Sequence, residues 1–270
     1  MTKTIYQALA QLESSHQAAA LCTIIRSQGS TPRGVNSKML VYPDGSIVGT
    51  VGGGELENRV IAEGLAALED GQSRILPYAM VDPQRGDPGV CGGQLEVFVE
   101  PILPPPLLVV VGSGHVGKAV AHLAAWLGFR VAVSDDRPEF CNPEVVPNAD
   151  EYYSIPMAQL PTQLKITPWT YLVLTTRGSN VDVEGLPVLL ESSAAYIGII
   201  GSRRRWETTR QQLIASGISE QALEKVHSPI GLELNAQTPE EIAVSIMAEI
   251  LMLRDRGDGR PMSETKKIIS

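Results

Sequence analysis

Between residues 107 and 136 the chain reads LLVVVGSGHVGKAVAHLAAWLGFRVAVSDD. An unbroken apolar run leads into Gly112, Gly114 and Gly117 in G-x-G-x-x-G spacing, then into a helical pattern ended by Gly128, then into a second apolar run. Asp135 closes that run, 23 positions after Gly112 (135 − 112). Strand, glycine turn, helix, strand and terminal carboxylate make up the whole dinucleotide-binding context, a stronger signal than the three glycines alone. The first glycine makes the turn, the second lets a phosphate approach the backbone, and the third lets helix pack on strand. The helix N-terminus, which opens at His115, adds unpaired N–H groups and partial positive charge. Asp135 suits a ribose 2′-hydroxyl and so NAD over NADP, although Arg137 beside it blurs the preference. Three readings stay open: bound NAD(P), another phosphate ligand, or the geometry kept without a nucleotide.

The pattern continues as alternating strands and helices. YLVLTTR and YIGIIGS are near-continuous apolar runs, typical of strands covered on both faces. RRRWETTRQQLIAS is a helix stopped by Gly217, and PEEIAVSIMAEILML is a last helix introduced by Thr238-Pro239. Residues 107–255 are therefore expected to form an α/β, Rossmann-like parallel-sheet domain, followed by a polar tail over 256–270.

Pro104-Pro105-Pro106 can enter neither a helix nor a central strand, so residues 104–106 are expected to act as a stiff linker. Before it, residues 1–103 read as a smaller α+β domain. A helix over about 4–15 leads to the buried strand AAALCTIIRS. A hairpin follows, turning at Pro43-Asp44-Gly45. A helix spans about 56–68, and SRILPYAM and QLEVFVEPI are strand candidates flanking a Pro- and Gly-rich loop.

Three glycine-broken segments in this half suggest a ligand site. Gly52-Gly53-Gly54 join a strand to a helix, either as a tight turn at positive φ or as a nest of N–H groups for an anion. GSTPRGVNSKM (29–39) carries Arg33 and Lys38 among hydroxyl side chains. CGG (91–93) places Cys91 in a turn, as a small residue or as a thiolate for a soft metal or for sulfur. In the other half, GIIGSRRRWE puts Arg203 and Arg204 where a strand ends and a helix starts, a solvated face or an anion site.

Composition limits the function classes. The net charge of −8 argues against a nucleic-acid binder, and no apolar run approaches a membrane span of about 20 residues. Three scattered cysteines and four separated histidines provide neither a disulfide framework nor a zinc spacing, which fits a cytoplasmic protein. No acid–base dyad is apparent, so catalysis is not the expected role. An NAD(P)-dependent oxidoreductase and a dinucleotide-sensing regulator remain the alternatives.

GSTPRGVNSKM, GTVGGGELE and CGGQLEV in the first half, with VVVGSGHVGKAV, VSDDRPEF, IGIIGSRRR, SPIGLEL and TPEEIAVSIMAEI in the second, together resemble the XdhC/CoxI family. These are accessory proteins of xanthine dehydrogenase and related molybdenum hydroxylases. The resemblance covers nearly the whole chain. It implies an N-terminal XdhC/CoxI domain before the Rossmann-like one, in a cytoplasmic homodimer that binds molybdenum cofactor. It further implies a chaperone that holds the cofactor for sulfuration by a cysteine desulfurase and inserts it into an apo molybdenum hydroxylase of the xanthine dehydrogenase type. Many members have cysteine after the triple glycine where this chain has Glu55. That leaves Cys91 as the candidate molybdenum ligand. The expected cofactor-binding set is Arg33, Lys38, Gly52, Gly53, Gly54, Cys91, Gly112, Gly114, His115, Gly117, Asp135, Arg203 and Arg204.

Overall fold

The computed structural model describes residues 4–79 and 93–264. By contact density the chain divides into two compact units, Met1–Pro104 and Pro105–Ser270.

The first unit holds α1 (Ile5–Ser15), β1 (Ala19–Gln28), β2 (Lys38–Val41), β3 (Ile47–Gly49), α2 (Gly54–Asp70), β4 (Arg74–Ala79) and β5 (Gln94–Ile102). Its five strands form an antiparallel sheet in the order β3-β2-β1-β5-β4. The long β1–β5 ladder runs from Ala19 opposite Ile102 to Gln28 opposite Gln94, with a bulge between Ile24 and Arg26. Alternation decides which face is covered. Cys22, Ile24, Leu95, Val97 and Val99 are buried, while Gln94, Glu96 and Arg26 are not. Helix α2 supplies the cover with the stripe Leu56, Val60, Gly64, Ala67 and Leu68. Gly64 lets it approach closely, because a Cβ there would stand 3.1 Å from the Val41 side chain. The β2–β3 turn is fastened by Asp44, whose carboxylate accepts from the Ser46 amide (2.9 Å) and hydroxyl (2.6 Å).

The second unit holds β6 (Leu107–Val111), α3 (His115–Trp126), β7 (Arg130–Ser134), β8 (Glu151–Tyr153), α4 (Leu160–Gln163), β9 (Thr170–Leu174), α5 (Ser179–Leu190), β10 (Tyr196–Ile199), α6 (Arg203–Ala215), α7 (Glu220–Leu223), β11 (Val226–His227) and α8 (Pro239–Arg254). All its strand pairs are parallel, in the order β11-β10-β9-β6-β7-β8. Counted from β6 this is the 3-2-1-4-5-6 order of a Rossmann sheet, with its switch point between β6 and β9. Both faces are buried. Leu108 and Val110 join a core with α3 and α8, and Leu107, Val109 and Val111 join another with α5 and α6. The parallel α/β half and the α+β half agree with the fold class read from the sequence.

Helix α5 was not foreseen, nor were β8, α4, α7 and β11. Gly185 and Pro187 sit inside α5 against their propensities. Burial of Leu186 and Leu189 outweighs them, and Gly185 is needed because a Cβ would overlap the Met157 side chain.

Candidate functional site

In the first unit the 29–39 loop meets the triple glycine at Gly52 and meets Gly93, the described end of the CGG segment. A Cβ on Gly52 would lie 2.6 Å from the Pro32 side chain, and one on Gly93 would overlap the Ser30 carbonyl. Backbone therefore lies against backbone at Gly93 and against the Pro32 ring at Gly52, so the 29–39 loop touches both. Gly52, Gly53 and Gly54 all have positive φ, at 140°, 79° and 63°. The space where Gly53 and Gly54 would carry a Cβ is open, so their backbone is approachable. Thr50 organises the turn: its hydroxyl accepts from the Gly52 amide (3.1 Å) and donates to Glu57 (3.1 Å). Arg33 is exposed and has no side-chain partner among the described residues. Lys38 spends one donor on Thr23 (3.3 Å), its cross-strand neighbour on β1.

The residues that border these loops also border a cavity of about 710 Å³. Gln28 precedes the first loop, Glu55 follows the triple glycine, and Gln94 follows Gly93, and all three line it. Arg59 and Tyr78 form another part of its wall, with the guanidinium carbon 5.2 Å from the ring centroid. Arg26 and Glu96 make an ion pair at 3.5 Å on its rim. The volume lies within the roughly 300–1,000 Å³ of small-molecule sites. Cys91 lies outside the described residues. The other two cysteines are not candidate ligands: burial pushes the Cys22 thiol up to about 12, and burial also raises Cys141. Among the described residues no three His, Cys, Asp or Glu side chains cluster as metal ligands, and no helix is long and apolar enough to cross a membrane.

In the second unit the glycine fingerprint is built as its spacing requires. Gly112 has φ 104°, and a Cβ there would stand 2.5 Å from the Thr175 carbonyl. One on Gly117 would overlap the Gly112 carbonyl. Thr175 completes the packing by donating its hydroxyl to Gly112 (2.5 Å). Asp135, 4% exposed, sits at the end of β7 as expected. Its carboxylate is full, however. It accepts from the Ser113 amide (2.9 Å), the Arg137 amide (3.1 Å), and Arg137 Nε and Nη2 (2.9 Å each). Four donors use its four lone-pair positions, and none is left for a ribose hydroxyl. Burial works to raise its pKa, but Arg137 and the two amides prevail and hold it below the ordinary carboxylate value. Beside it, Arg177 pairs with Asp136 in a two-pronged bridge (2.5 and 2.8 Å) that ties the ends of β7 and β9. The crevice left at the switch point holds about 100 Å³. Sequence reasoning missed Asp136 and Arg177. Their signal was a charged residue shortly after each of two buried parallel strands, two positions past β7 and three past β9.

The remaining predicted residues are dispersed. His115 is exposed in the first turn of α3 and lines a separate cavity of about 490 Å³ with Lys118 and His122. Arg203 and Arg204 are exposed at the start of α6, without side-chain partners among the described residues. The third arginine, Arg205, is structural. It donates to Asp182 on α5 (2.6 Å) and to the Thr176 hydroxyl (2.8 Å), and Thr176 itself donates to Asp182.

Known proteins share this organisation. The family model described as XdhC Rossmann domain matches residues 108–250, and that of the XdhC and CoxI family matches residues 12–79. Escherichia coli YqeB, an uncharacterised protein, is 38% identical over 259 residues, covering 94% of this chain and 47% of YqeB. A Bacillus subtilis protein described as a probable xanthine dehydrogenase subunit is 33% identical over 160 residues, covering 59% of this chain and 46% of that protein. The chain thus spans about half the length of these two relatives. The molybdenum cofactor insertion chaperone PaoD of Escherichia coli is 22% identical, covering 93% of this chain and 88% of PaoD. A crystal structure described as a xanthine dehydrogenase of Bacillus halodurans shares the fold, with a TM-score of 0.50, 24% identity, and coverage of 97% of this chain and 98% of that one. By the match over more than half of its length, this chain belongs to the XdhC and CoxI family.

Proposed function

We propose that this chain is a molybdenum-cofactor carrier for an apo molybdenum hydroxylase of the xanthine dehydrogenase type. The observation that carries the reading is the approach of the 29–39 loop to the triple glycine and to Gly93, beside a cavity large enough for a pterin. The residues fit the group. Approachable backbone at Gly53 and Gly54 and Arg33, without a side-chain partner among the described residues, suit its phosphate, and Lys38 stands one strand away. Cys91 is the remaining thiol for the metal, since Cys22 and Cys141 are buried. The cofactor supplies the molybdenum chemistry of the recipient enzyme, and the carrier's part is to bind it, orient it and shield it from water. A cysteine desulfurase as second partner, a homodimeric state and a cytoplasmic site of action complete the proposal.

A nicotinamide dinucleotide is the weaker alternative. Asp135 has no acceptor position free, and the switch-point crevice is smaller than a nucleotide site.

The test is to purify the protein gently from a cofactor-producing host and score released pterin against dinucleotide by mass spectrometry. Wild-type protein is expected to carry pterin, with Arg33→Ala and Cys91→Ala each carrying less. Wild-type protein without measurable pterin refutes the proposal.

A further inference from the structure

The cavity beside the glycine loops contains side chains that the carrier reading does not yet use. Glu55 stands exposed in the first turn of α2, at the wall shared with Gln28 and Gln94. The register pairs Gln28 with Gln94, so these two amides lie side by side at the open end of the β1–β5 ladder. One turn along α2, Arg59 is exposed and has the Tyr78 ring behind its guanidinium. A carboxylate, two amides and a planar cation backed by an aromatic ring form a set with a definite ligand preference. They suit a flat heteroaromatic ring that offers two parallel N–H donors along one edge and a π-face above.

A pterin has that edge, because its 2-amino group and its N3–H both point outward and pair with both oxygens of one carboxylate. Resting on the carrier reading, we propose that this cavity seats the pterin ring of the cofactor. Glu55 accepts from the amino–lactam edge, Gln28 and Gln94 bond the remaining ring heteroatoms, and Arg59 stacks on the face. The carboxylate directly after the triple glycine is thus a specificity residue for the organic half of the ligand. The phosphate stays with the glycine loops and Arg33.

The probe is 6-hydroxymethylpterin, which lacks metal, dithiolene and phosphate, compared with the 6-hydroxymethyl derivative of lumazine, which carries an oxygen in place of the 2-amino group. Ring fluorescence is titrated with full-length protein. Wild-type protein is expected to prefer the pterin by about tenfold or more, the value of a charge-assisted pair of hydrogen bonds. Glu55→Gln offers one acceptor and one donor, and is expected to lose that preference while retaining the wild-type melting temperature, since the side chain is exposed. Arg59→Met is expected to weaken both ligands alike, by about two- to fivefold. Equal affinity of wild-type protein for pterin and lumazine overturns the assignment, as does an unchanged preference in Glu55→Gln. If cofactor-loaded protein is recovered from the host while either result holds, the seat for the ring is wrong and the carrier reading survives. If no pterin is recovered and neither ring binds, both fall.

Discussion

Replacing Asp135 by Asn tests whether the carboxylate at the end of β7 is a structural anchor. The side chains are nearly isosteric, so the change removes charge and acceptor capacity without opening a cavity. Four donors converge on Asp135. An asparagine presents one oxygen and one NH2 group, so two of those donors then face another donor. One buried donor left unpaired costs about 1–3 kcal/mol. Arg137 contributes less, because its side chain is 34% exposed and its pairing is screened, so it adds about 0–1 kcal/mol. The expected loss is about 2–3 kcal/mol, which for a unit of this size is roughly 4–12 °C in melting temperature. The assay is thermal and urea unfolding of the second unit's transition, with amide exchange at Ser113 as the local reporter. The pH dependence gives an independent check. The folded-state pKa is depressed, so the carboxylate's contribution is fully present above the unfolded value of about 3.9 and is lost as pH falls through the folded value. The gap between wild type and variant should therefore close below about pH 4. A shift under 1 °C at pH 7 with unchanged Ser113 exchange would refute the anchoring role.

Two further substitutions probe the glycine junction and the α5–α6 clamp. Gly93→Ala forces a Cβ into the Ser30 carbonyl, so the 29–39 loop must move; a loss of about 1–3 kcal/mol in urea unfolding is expected, with reduced pterin retention. Asp182→Ala leaves Arg205 partly buried with neither its carboxylate nor a partner for Nε among the described residues, and a loss of about 3 kcal/mol by the same assay is expected.

What could be read from the sequence was what adjacent residues decide. The strand, glycine turn and helix at residues 107–126 lie within one local stretch, and their periodicities are unambiguous. The exposed hairpin turn at Asp44-Gly45 was legible for the same reason. Helix α5 was not, because its β-branched residues, Gly185 and Pro187 oppose a helix locally and only the core around Leu186 and Leu189 reveals one. The ionic contacts were hidden by distance along the chain: Asp136 and Arg177 lie 41 positions apart, and Asp182 and Arg205 lie 23 apart. The three glycine loops were visible as composition, but their meeting was not. The approach of the 29–39 loop to Gly93 follows from the β1–β5 register, which brings Gln28 opposite Gln94, and Pro32 of the same loop packs on Gly52.

The same distinction bears on what a G-x-G-x-x-G motif reports. At Gly112 and Gly117 a Cβ meets backbone, so those glycines are required whether or not anything binds. Gly114 differs. Its φ of −69° suits any residue and a Cβ there meets nothing within 4 Å, so packing gives no reason for glycine. Gly114→Ala should therefore change stability by no more than about 1 kcal/mol, a poorer N-cap offset by reduced freedom of the unfolded chain. Any ligand that approaches the loop backbone would lose far more than the fold does. Wild-type protein is expected to give no thermal shift with NADH or NADPH, because Asp135 is saturated and the crevice is small. A shift that appears in wild type and vanishes in Gly114→Ala would overturn that expectation. It would return the Rossmann half to its usual use, and ribose binding by Asp135 would then require Arg137 to release it.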